Sequence, residues 1–144
     1  MKISIGSDHG GYDLKLMVIE HLKEAGHEVT DEGCHSKDSC DYPEFGHAVA
    51  KKVAAGEADK GIVICSTGIG ISISANKVPG IRCALCTNST MARLTREHND
   101  ANVLAMGAVI TGQWLAMDIV DTFLNTEFSG VDRHARRISK IEAI

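Results

Sequence analysis

The sequence predicts a doubly wound α/β/α sandwich, in which helices cover both faces of a five-stranded parallel sheet. Short apolar runs typical of buried strands alternate five times with longer segments whose apolar residues recur at helical spacing. Each helix returns the chain over the sheet to a parallel neighbour, with the right-handed crossover that such units adopt. With 144 residues, 44% of them hydrophobic, the chain is expected to form one domain around a single compact core.

The first half of the chain contains three strand–helix units. Gly26 provides the helix stop of the first unit, and Pro43 suits the first turn of the second helix. We predict a strand over 2–7 with a helix to Gly26, a weak strand over 28–32 with a helix from Pro43 to about Gly56, and a strand over 61–65 with a helix to about Lys77.

The second half adds two more units and a final helix. After a turn at 78–80, we predict a strand over 82–87, a helix capped by Ser89 or Thr90 that runs to about His98, a strand over 102–106, a long helix from Thr111 and a last helix from about Asp132. Apolar residues at helical spacing predict which faces of the last two helices pack on the core. These residues are Leu115, Ile119 and Phe123, and then Ala135, Ile138 and Ile141.

Polar residues and glycines follow four of the five predicted strands. In a three-layer Rossmann-like sandwich the carboxyl ends of the strands share one edge of the sheet, and ligands bind outside that edge. The segments that reach this edge are 7–10, 65–70, 87–88 and Gly107. The sequence therefore predicts a ligand site there.

The segment from Gly61 to Asn76 changes from a buried strand to a helix across the sequence Cys-Ser-Thr-Gly-Ile-Gly. Its glycines permit a sharp turn, and the helix that follows presents unpaired N–H groups to a phosphate or a developing oxyanion. Cys65 lies beside this helix N-terminus, which favours the thiolate, although a small buried side chain is the simpler interpretation of a strand cysteine. A dinucleotide-binding fingerprint is a weak interpretation, because Ile73 stands where a third glycine is needed.

Charged residues outside the glycine loop are further candidates for a functional site. Asp8 and His9 follow the first strand and are predicted to face the glycine loop, with a simple loop turn as the alternative. His98 ends a helix, where a histidine is most simply a partner of the helix dipole. Arg133 and Arg137 lie one turn apart on the last helix and form either a phosphate clamp or a solvated surface.

The other cysteines give weaker signals. Cys83 and Cys86 have the spacing of a redox motif, but in a strand a separation of three directs them to opposite faces, so we reject that interpretation. Cys34, His35 and Cys40 share one loop, yet their spacing matches no standard zinc pattern. We expect reduced thiols, no metal and no organic cofactor.

Composition limits the partners and the compartment that we expect. A net charge of −4 gives no reason to expect nucleic acid, and no apolar run is long enough to cross a membrane. The amino-terminal segment has no signal-peptide core, and five cysteines are an odd number, so we expect a cytoplasmic protein.

Six segments match, in order, the motifs of one enzyme family: GSDHGG (6–11), DYP (41–43), ICSTGIGISISANK (64–77), GIRCAL (80–85), REHNDANVLAMG (96–107) and RHARR (133–137). Together they resemble the type B ribose-5-phosphate isomerases and the related galactose-6-phosphate and allose-6-phosphate isomerases. The resemblance covers nearly the whole chain, which makes chance similarity a poor explanation.

The resemblance implies an aldose–ketose isomerase of a phosphorylated sugar, most simply ribose 5-phosphate to ribulose 5-phosphate through a cis-enediolate. It makes Cys65 the base, Thr67 a catalytic residue that helps the loop to hold the enediolate oxygens, and His98 a group that opens the sugar ring. Further contacts implied by the resemblance are with the sugar from Asp8, His9, Tyr42, Ser66, Gly68, Ile69, Gly70 and Asn99, and with the phosphate from Arg133 and Arg137.

The resemblance also implies a homodimer, or a higher homo-oligomer, whose active sites use residues of both chains. The helix from about residue 131 is then expected to contact the partner subunit. His98 and the two arginines would therefore meet the Cys65 of the other chain.

One position departs from the family pattern. Val109 stands where the family usually has an arginine that contacts phosphate, which removes a bidentate donor. Another substrate therefore stays open, such as allose 6-phosphate, galactose 6-phosphate or a tetrose phosphate. A noncatalytic sugar-phosphate-binding module is a second alternative, and a lyase or phosphatase that uses the same anion loop is a poorer third.

Overall fold

The computed structural model describes residues 1–144 and contains five strands and six α-helices, with one 3₁₀ turn at His9–Gly11. The elements are β1 (Lys2–Ser7), α1 (Tyr12–Glu24), β2 (Glu28–Asp31), α2 (Tyr42–Ala54), β3 (Lys60–Cys65), α3 (Ile69–Asn76), β4 (Cys83–Leu85), α4 (Ser89–Asn99), β5 (Val103–Gly107), α5 (Gln113–Asn125) and α6 (Asp132–Glu142).

All five strands are parallel, and they lie in the order β2-β1-β3-β5-β4. The predicted fold class is therefore confirmed. The chain leaves β1 toward one edge of the sheet and leaves β3 toward the other, so the strand order reverses between these two neighbours. This reversal is the switch point beside which open α/β sheets bind ligands, and it lies between Ser7 and Cys65 at the carboxyl ends of the two strands.

Apolar side chains cover both faces of the central strands, which explains why β3 is a continuous hydrophobic run. Alternate residues of β3 point to opposite faces, so Ile62 and Ile64 pack beneath α1 and α5, whereas Val63 and Cys65 pack beneath α2 and α3. The single core expected from composition is thus two apolar layers, separated by the sheet.

Two predicted elements need correction. β4 has three residues instead of six. It begins one residue later than predicted, because the Arg82 N–H donates to the side chain of Asn102 at 2.9 Å and not to a neighbouring strand. The cap of α4 is Asn88, whose side-chain oxygen accepts from the Met91 N–H at 2.9 Å. The prediction of Ser89 or Thr90 placed the cap one or two residues too late.

The predicted apolar faces of the last two helices are only partly correct. In α5, Ile119 and Phe123 are buried, whereas Leu115 is 40% exposed. In α6, Ala135 and Ile141 are exposed and Ile138 is half-buried, and the one buried residue is His134. The α6 prediction fails because this helix contacts the domain through one narrow line of residues, so apolar spacing does not report its buried side.

No helix in the structure combines the length and the apolar composition that crossing a bilayer would require.

Candidate active site

The site begins where β1 and β3 end side by side. The N–H of Asp8, the first residue after β1, donates to the carbonyl of Ile64 in β3 at 3.2 Å, which joins the two strand ends. One oxygen of the buried Asp8 carboxylate accepts from the Gly11 N–H at 3.0 Å. The local turn considered from the sequence is therefore present, and it fixes the carboxylate beside the third strand.

Cys65 is the last residue of β3, and its thiol lies under the loop that leads into α3. The Gly68 N–H donates to Sγ at 3.1 Å. Gly68 has φ 79°, and a Cβ there would lie 2.7 Å from the backbone of Met106, so only glycine fits. A backbone N–H donor therefore points at the sulfur.

The same loop presents hydrogen-bond donors above the thiol. The Ile69 N–H is already used, because it donates to the Thr67 hydroxyl oxygen at 3.2 Å. The N–H groups of Gly70 and Ile71, in the first turn of α3, make no hydrogen bond within the chain. Together with the Thr67 hydroxyl proton, they are the donors available to an oxyanion.

A cavity of about 520 Å³ opens at this edge of the sheet. One wall is the ring of Tyr42, which lies so close to Gly70 that a Cβ there would be 2.6 Å from the ring. The cavity gathers seven residues predicted from the sequence and one, Ile73, that was not. The lining residues are Asp8, Tyr42, Cys65, Ser66, Thr67, Ile69, Gly70 and Ile73.

His9 lies at the rim of this region and is exposed. Its Nδ1 accepts from the backbone N–H of Cys40 at 3.3 Å. Because a backbone N–H can only donate, Nδ1 of the neutral ring carries no proton, and Nε2 carries it instead. The ring therefore has a donor at Nε2.

His98, Asn99, Arg133 and Arg137 lie away from this cavity. α4 begins after the carboxyl end of β4, and its 11 residues carry the chain about 16 Å back across the sheet. The Asn99 carbonyl accepts from Arg82 Nε at 2.8 Å, just before β4 begins. The end of α4 is therefore at the amino edge of the sheet, opposite Cys65.

α6 packs against this end of α4. The ring of His134 lies 4.3 Å from the ring of His98, centroid to centroid, so the neighbouring Arg133 and Arg137 are at the amino edge too. His134 was not predicted from the sequence. The signal that could have found it is its position between the two arginines.

The family model described as Ribose/Galactose Isomerase matches residues 3–141 of the chain. The chain belongs to this family. Ribose-5-phosphate isomerase B of Escherichia coli is 48% identical over 143 residues, which cover 99% of this chain and 95% of that protein. Galactose-6-phosphate isomerase subunit LacB of Clostridium acetobutylicum is 45% identical over 144 residues, covering 100% of this chain and 83% of that protein.

The fold comparison agrees with the sequence comparison. The solved structure of ribose-5-phosphate isomerase B from Clostridium thermocellum superposes with a TM-score of 0.97 at 62% identity, and the match covers 99% of this chain and 95% of that one. The family predicted from the motifs is therefore confirmed.

Val109, the departure from the family pattern, lies beside the cavity floor. Its N–H donates to the Ser66 carbonyl at 3.0 Å, while its side chain is 71% exposed. An apolar side chain thus projects into solvent next to Ser66, which lines the cavity.

A second, larger cavity of about 640 Å³ lies at the amino edge, around the turn before β4. Asn99 is among its lining residues. The charged side chains of this cavity are Lys77, which is exposed, and Arg82 and Glu142, which pair with each other at 2.7 Å. Burial raises the pKa of its one thiol, Cys83, so the smaller cavity at Cys65 is the candidate for chemistry.

The remaining cysteines offer no catalytic group. Cys83 and Cys86 pack on opposite faces of the sheet, as predicted, and burial raises the pKa of both thiols, that of Cys86 to about 12. In the loop of Cys34 and Cys40, the Cys40 sulfur lies 3.8 Å from His9 Nδ1. Nowhere in the chain do three or more His, Cys, Asp or Glu side chains form a group that could hold a metal ion.

Proposed function

We propose that the chain interconverts ribose 5-phosphate and ribulose 5-phosphate by proton transfer through a cis-enediolate, with Cys65 as the base. The observation that supports this most directly is the thiol at the switch-point cavity, hydrogen-bonded by the Gly68 N–H at 3.1 Å. The family and its relatives named ribose-5-phosphate isomerase B support the reaction and the substrate.

The difficult step is the removal of a weakly acidic proton from the carbon next to the carbonyl. The Cys65 thiolate takes this proton from C2 of the open-chain aldose, and the electron pair moves to the aldehyde oxygen. The resulting enediolate is stabilised by the N–H groups of Gly70 and Ile71 and by the Thr67 hydroxyl. Cys65 then returns the proton to C1, while a proton moves from O2 to O1, and the ketose forms.

The cavity walls orient the sugar for this transfer. The Asp8 carboxylate accepts from a sugar hydroxyl, and His9 donates from Nε2 at the rim. Tyr42 and Ile69 form the walls, and the remaining sugar contacts are with Ser66, Gly68 and Gly70 and with Asn99 of a second copy of the chain. Holding the reacting carbon within reach of the thiol converts the reaction to an effectively unimolecular step.

The active site is shared between two copies of the chain. His98, Asn99, Arg133 and Arg137 lie at the amino edge of the sheet, whereas the thiol lies at the carboxyl edge. A second copy brings the two edges together, with its α6 supplying the phosphate contacts. Two apolar side chains beside the cavity, Ile69 at 53% exposure and Ile73 at 57%, are suited to being covered by that copy.

The assembly is accordingly a homodimer or a higher homo-oligomer, acting in the cytoplasm without a metal or an organic cofactor. One chain contains both the thiol and the arginines, so a second type of subunit is not needed. Each copy contributes one half to each of two sites.

The test is the Cys65→Ala variant, assayed for conversion of ribose 5-phosphate in a coupled assay. We expect turnover to fall by about a thousandfold or more, because a general base contributes that much. In D₂O, the wild-type product should carry deuterium at C1, because the thiol exchanges its proton with solvent. Cys83→Ala is the matched control, and retained turnover in Cys65→Ala would refute the proposed base.

The identity of the sugar is tested separately, because Val109 removes a cationic donor that this family usually has. A kinetic panel of four- to six-carbon aldose and ketose phosphates should give the highest kcat/KM with ribose 5-phosphate. A preference for galactose 6-phosphate or allose 6-phosphate would reassign the substrate within the family. Stoichiometric binding with no turnover of any of them would instead indicate a binding module.

A further inference from the structure

Helix α6 is attached to the domain at very few points. His134 is its one buried residue, at 6% exposure, and Ile138 is half-buried. At the far end, Glu142 accepts from Arg82 at 2.7 Å. A single histidine therefore determines where the first turn of α6 lies.

His134 contacts the last turn of α4 in two ways. Its ring lies against the ring of His98 with centroids 4.3 Å apart and planes inclined by 42°. Its Nδ1 is 2.9 Å from the Ser129 hydroxyl, and the Ser129 N–H donates to the Glu97 carbonyl at 3.2 Å. The ring is thus fixed both to the side chain and to the backbone of the helix that positions His98.

The surroundings favour a neutral His134. The Ser129 hydroxyl oxygen accepts from the Val131 N–H at 3.3 Å, which leaves the hydroxyl proton free to donate to Nδ1. Burial, followed by the nearby charges of His98, Arg133 and Arg137, lowers the pKa of His134, and a hydrogen bond with the Glu97 backbone opposes this only in part.

We infer that His134 is a positioning residue, which holds the His98 imidazole and the Arg133 and Arg137 guanidinium groups in one fixed arrangement. This inference rests on the proposed function, in which His98 opens the sugar ring and the arginines bind phosphate. Arg133 precedes His134, and Arg137 follows one turn later. The position of the His134 ring therefore determines where both guanidinium groups lie relative to His98. The imidazole that opens the sugar ring and the guanidinium groups that bind the phosphate are thereby held at a constant distance from each other.

The test compares His134→Ala, which removes the ring, with His134→Phe, which keeps its volume and its contact with His98. For ribose 5-phosphate, His134→Ala should raise KM and lower kcat, each by about tenfold or more, because the two groups lose their common position. His134→Phe should recover most of both losses. Ser139→Ala, an exposed position of the same helix, is the control and should match the wild type.

A readout that does not depend on catalysis is the pH dependence of unfolding. Because the folded state disfavours protonated His134, its contribution to stability is complete above about pH 6.5 and is lost as the pH falls. The wild-type melting temperature should therefore decrease more between pH 7.5 and pH 5.5 than that of His134→Phe.

The outcomes separate this inference from the proposed function. Wild-type values of kcat and KM in a folded His134→Ala protein would overturn the positioning role, and so would a lower melting temperature with unchanged kinetics. If the wild type itself fails to convert any sugar phosphate, the proposed function is refuted and with it the premise of this inference.

Discussion

The two edges of the sheet are constructed in different ways. At the carboxyl edge, backbone groups determine the site: the Gly68 N–H on the Cys65 sulfur, and the free N–H groups of the first turn of α3. At the amino edge, the proposed contacts are side chains on a helix surface, and His134 is the one buried residue of α6, which is otherwise held by the half-buried Ile138 and by the Glu142–Arg82 pair. The first arrangement lies within one chain, whereas the second contributes to the proposed site only when another chain is present.

Among changes that test this difference between the edges, Gly68→Ala at the carboxyl edge should cause the largest loss of activity. The residue has φ 79°, and the added Cβ would meet the Met106 backbone at 2.7 Å, so the loop above Cys65 must shift. We expect activity to fall by about a hundredfold, because a displacement of about 1 Å in a catalytic group has that effect. The measurement is kcat/KM for ribose 5-phosphate.

The matched control for this substitution is Gly26→Ala. Gly26 also has a left-handed backbone, with φ 87°, but nothing lies within 4 Å of its Cβ position. It should lose about 1 kcal/mol of stability and no activity, since only the cost of the backbone conformation applies. Equal losses of activity in the two variants would show that the close approach at Gly68 has no catalytic importance.

A smaller effect on activity is expected when two variants, each defective at one edge of the sheet, are combined in one dimer. This experiment tests directly whether the two edges belong to one site. Cys65→Ala lacks one half of the site, and an Arg133→Ala, Arg137→Ala double variant lacks the other. Co-refolded together, they should regain about a quarter of wild-type activity, because half of the dimers are mixed and each of these has one intact site. Activity of the refolded mixture is the measurement.

The control for this mixture is Cys65→Ala co-refolded with Thr67→Ala. Both changes lie in the same half of the site, so a mixed dimer has no intact pair and activity should stay at the level of the components. If the first mixture also stays inactive while each variant forms dimers, the sites are not shared.

The smallest effect should come from Val109→Arg at the carboxyl edge. A new guanidinium group at this exposed position, next to the Ser66 carbonyl contact, should lower KM for phosphorylated sugars by about threefold, as expected for a solvent-screened charge. Val109→Gln adds length without charge and is the comparison. An unchanged KM for every sugar phosphate would mean that phosphate binds out of reach of position 109.

The carboxyl edge was largely predictable from the sequence for a physical reason. Continuous apolar runs identify buried parallel strands, and the ends of such strands share one edge, so Asp8 and Cys65 were expected at the same edge. The strand order that makes them neighbours was not predicted. The glycines of the loop indicated a tight turn with free N–H groups. Ile73 was missed because nothing in a helical apolar residue shows that it lines a cavity instead of a core.

The amino edge was less predictable. Apolar spacing suggested Ala135 and Ile141 for the buried side of α6, but that helix touches the domain along a narrow line, and the buried residue is a histidine. From residue types alone, the simplest interpretation of His98 was a histidine at a helix end that interacts with the helix dipole. Its assignment to the reaction came from motif resemblance, because contacts between chains leave no periodic signal in one sequence.

The hydrogen bond from the Cys40 amide to His9 Nδ1 has a consequence for substitutions at position 40. The donor belongs to the main chain, so the tautomer of His9 does not depend on which side chain occupies that position. Replacing the Cys40 side chain should therefore leave the Nε2 donor of His9 in place. Proline is the exception, because it is the one residue that would delete that N–H and free the imidazole to exchange tautomers.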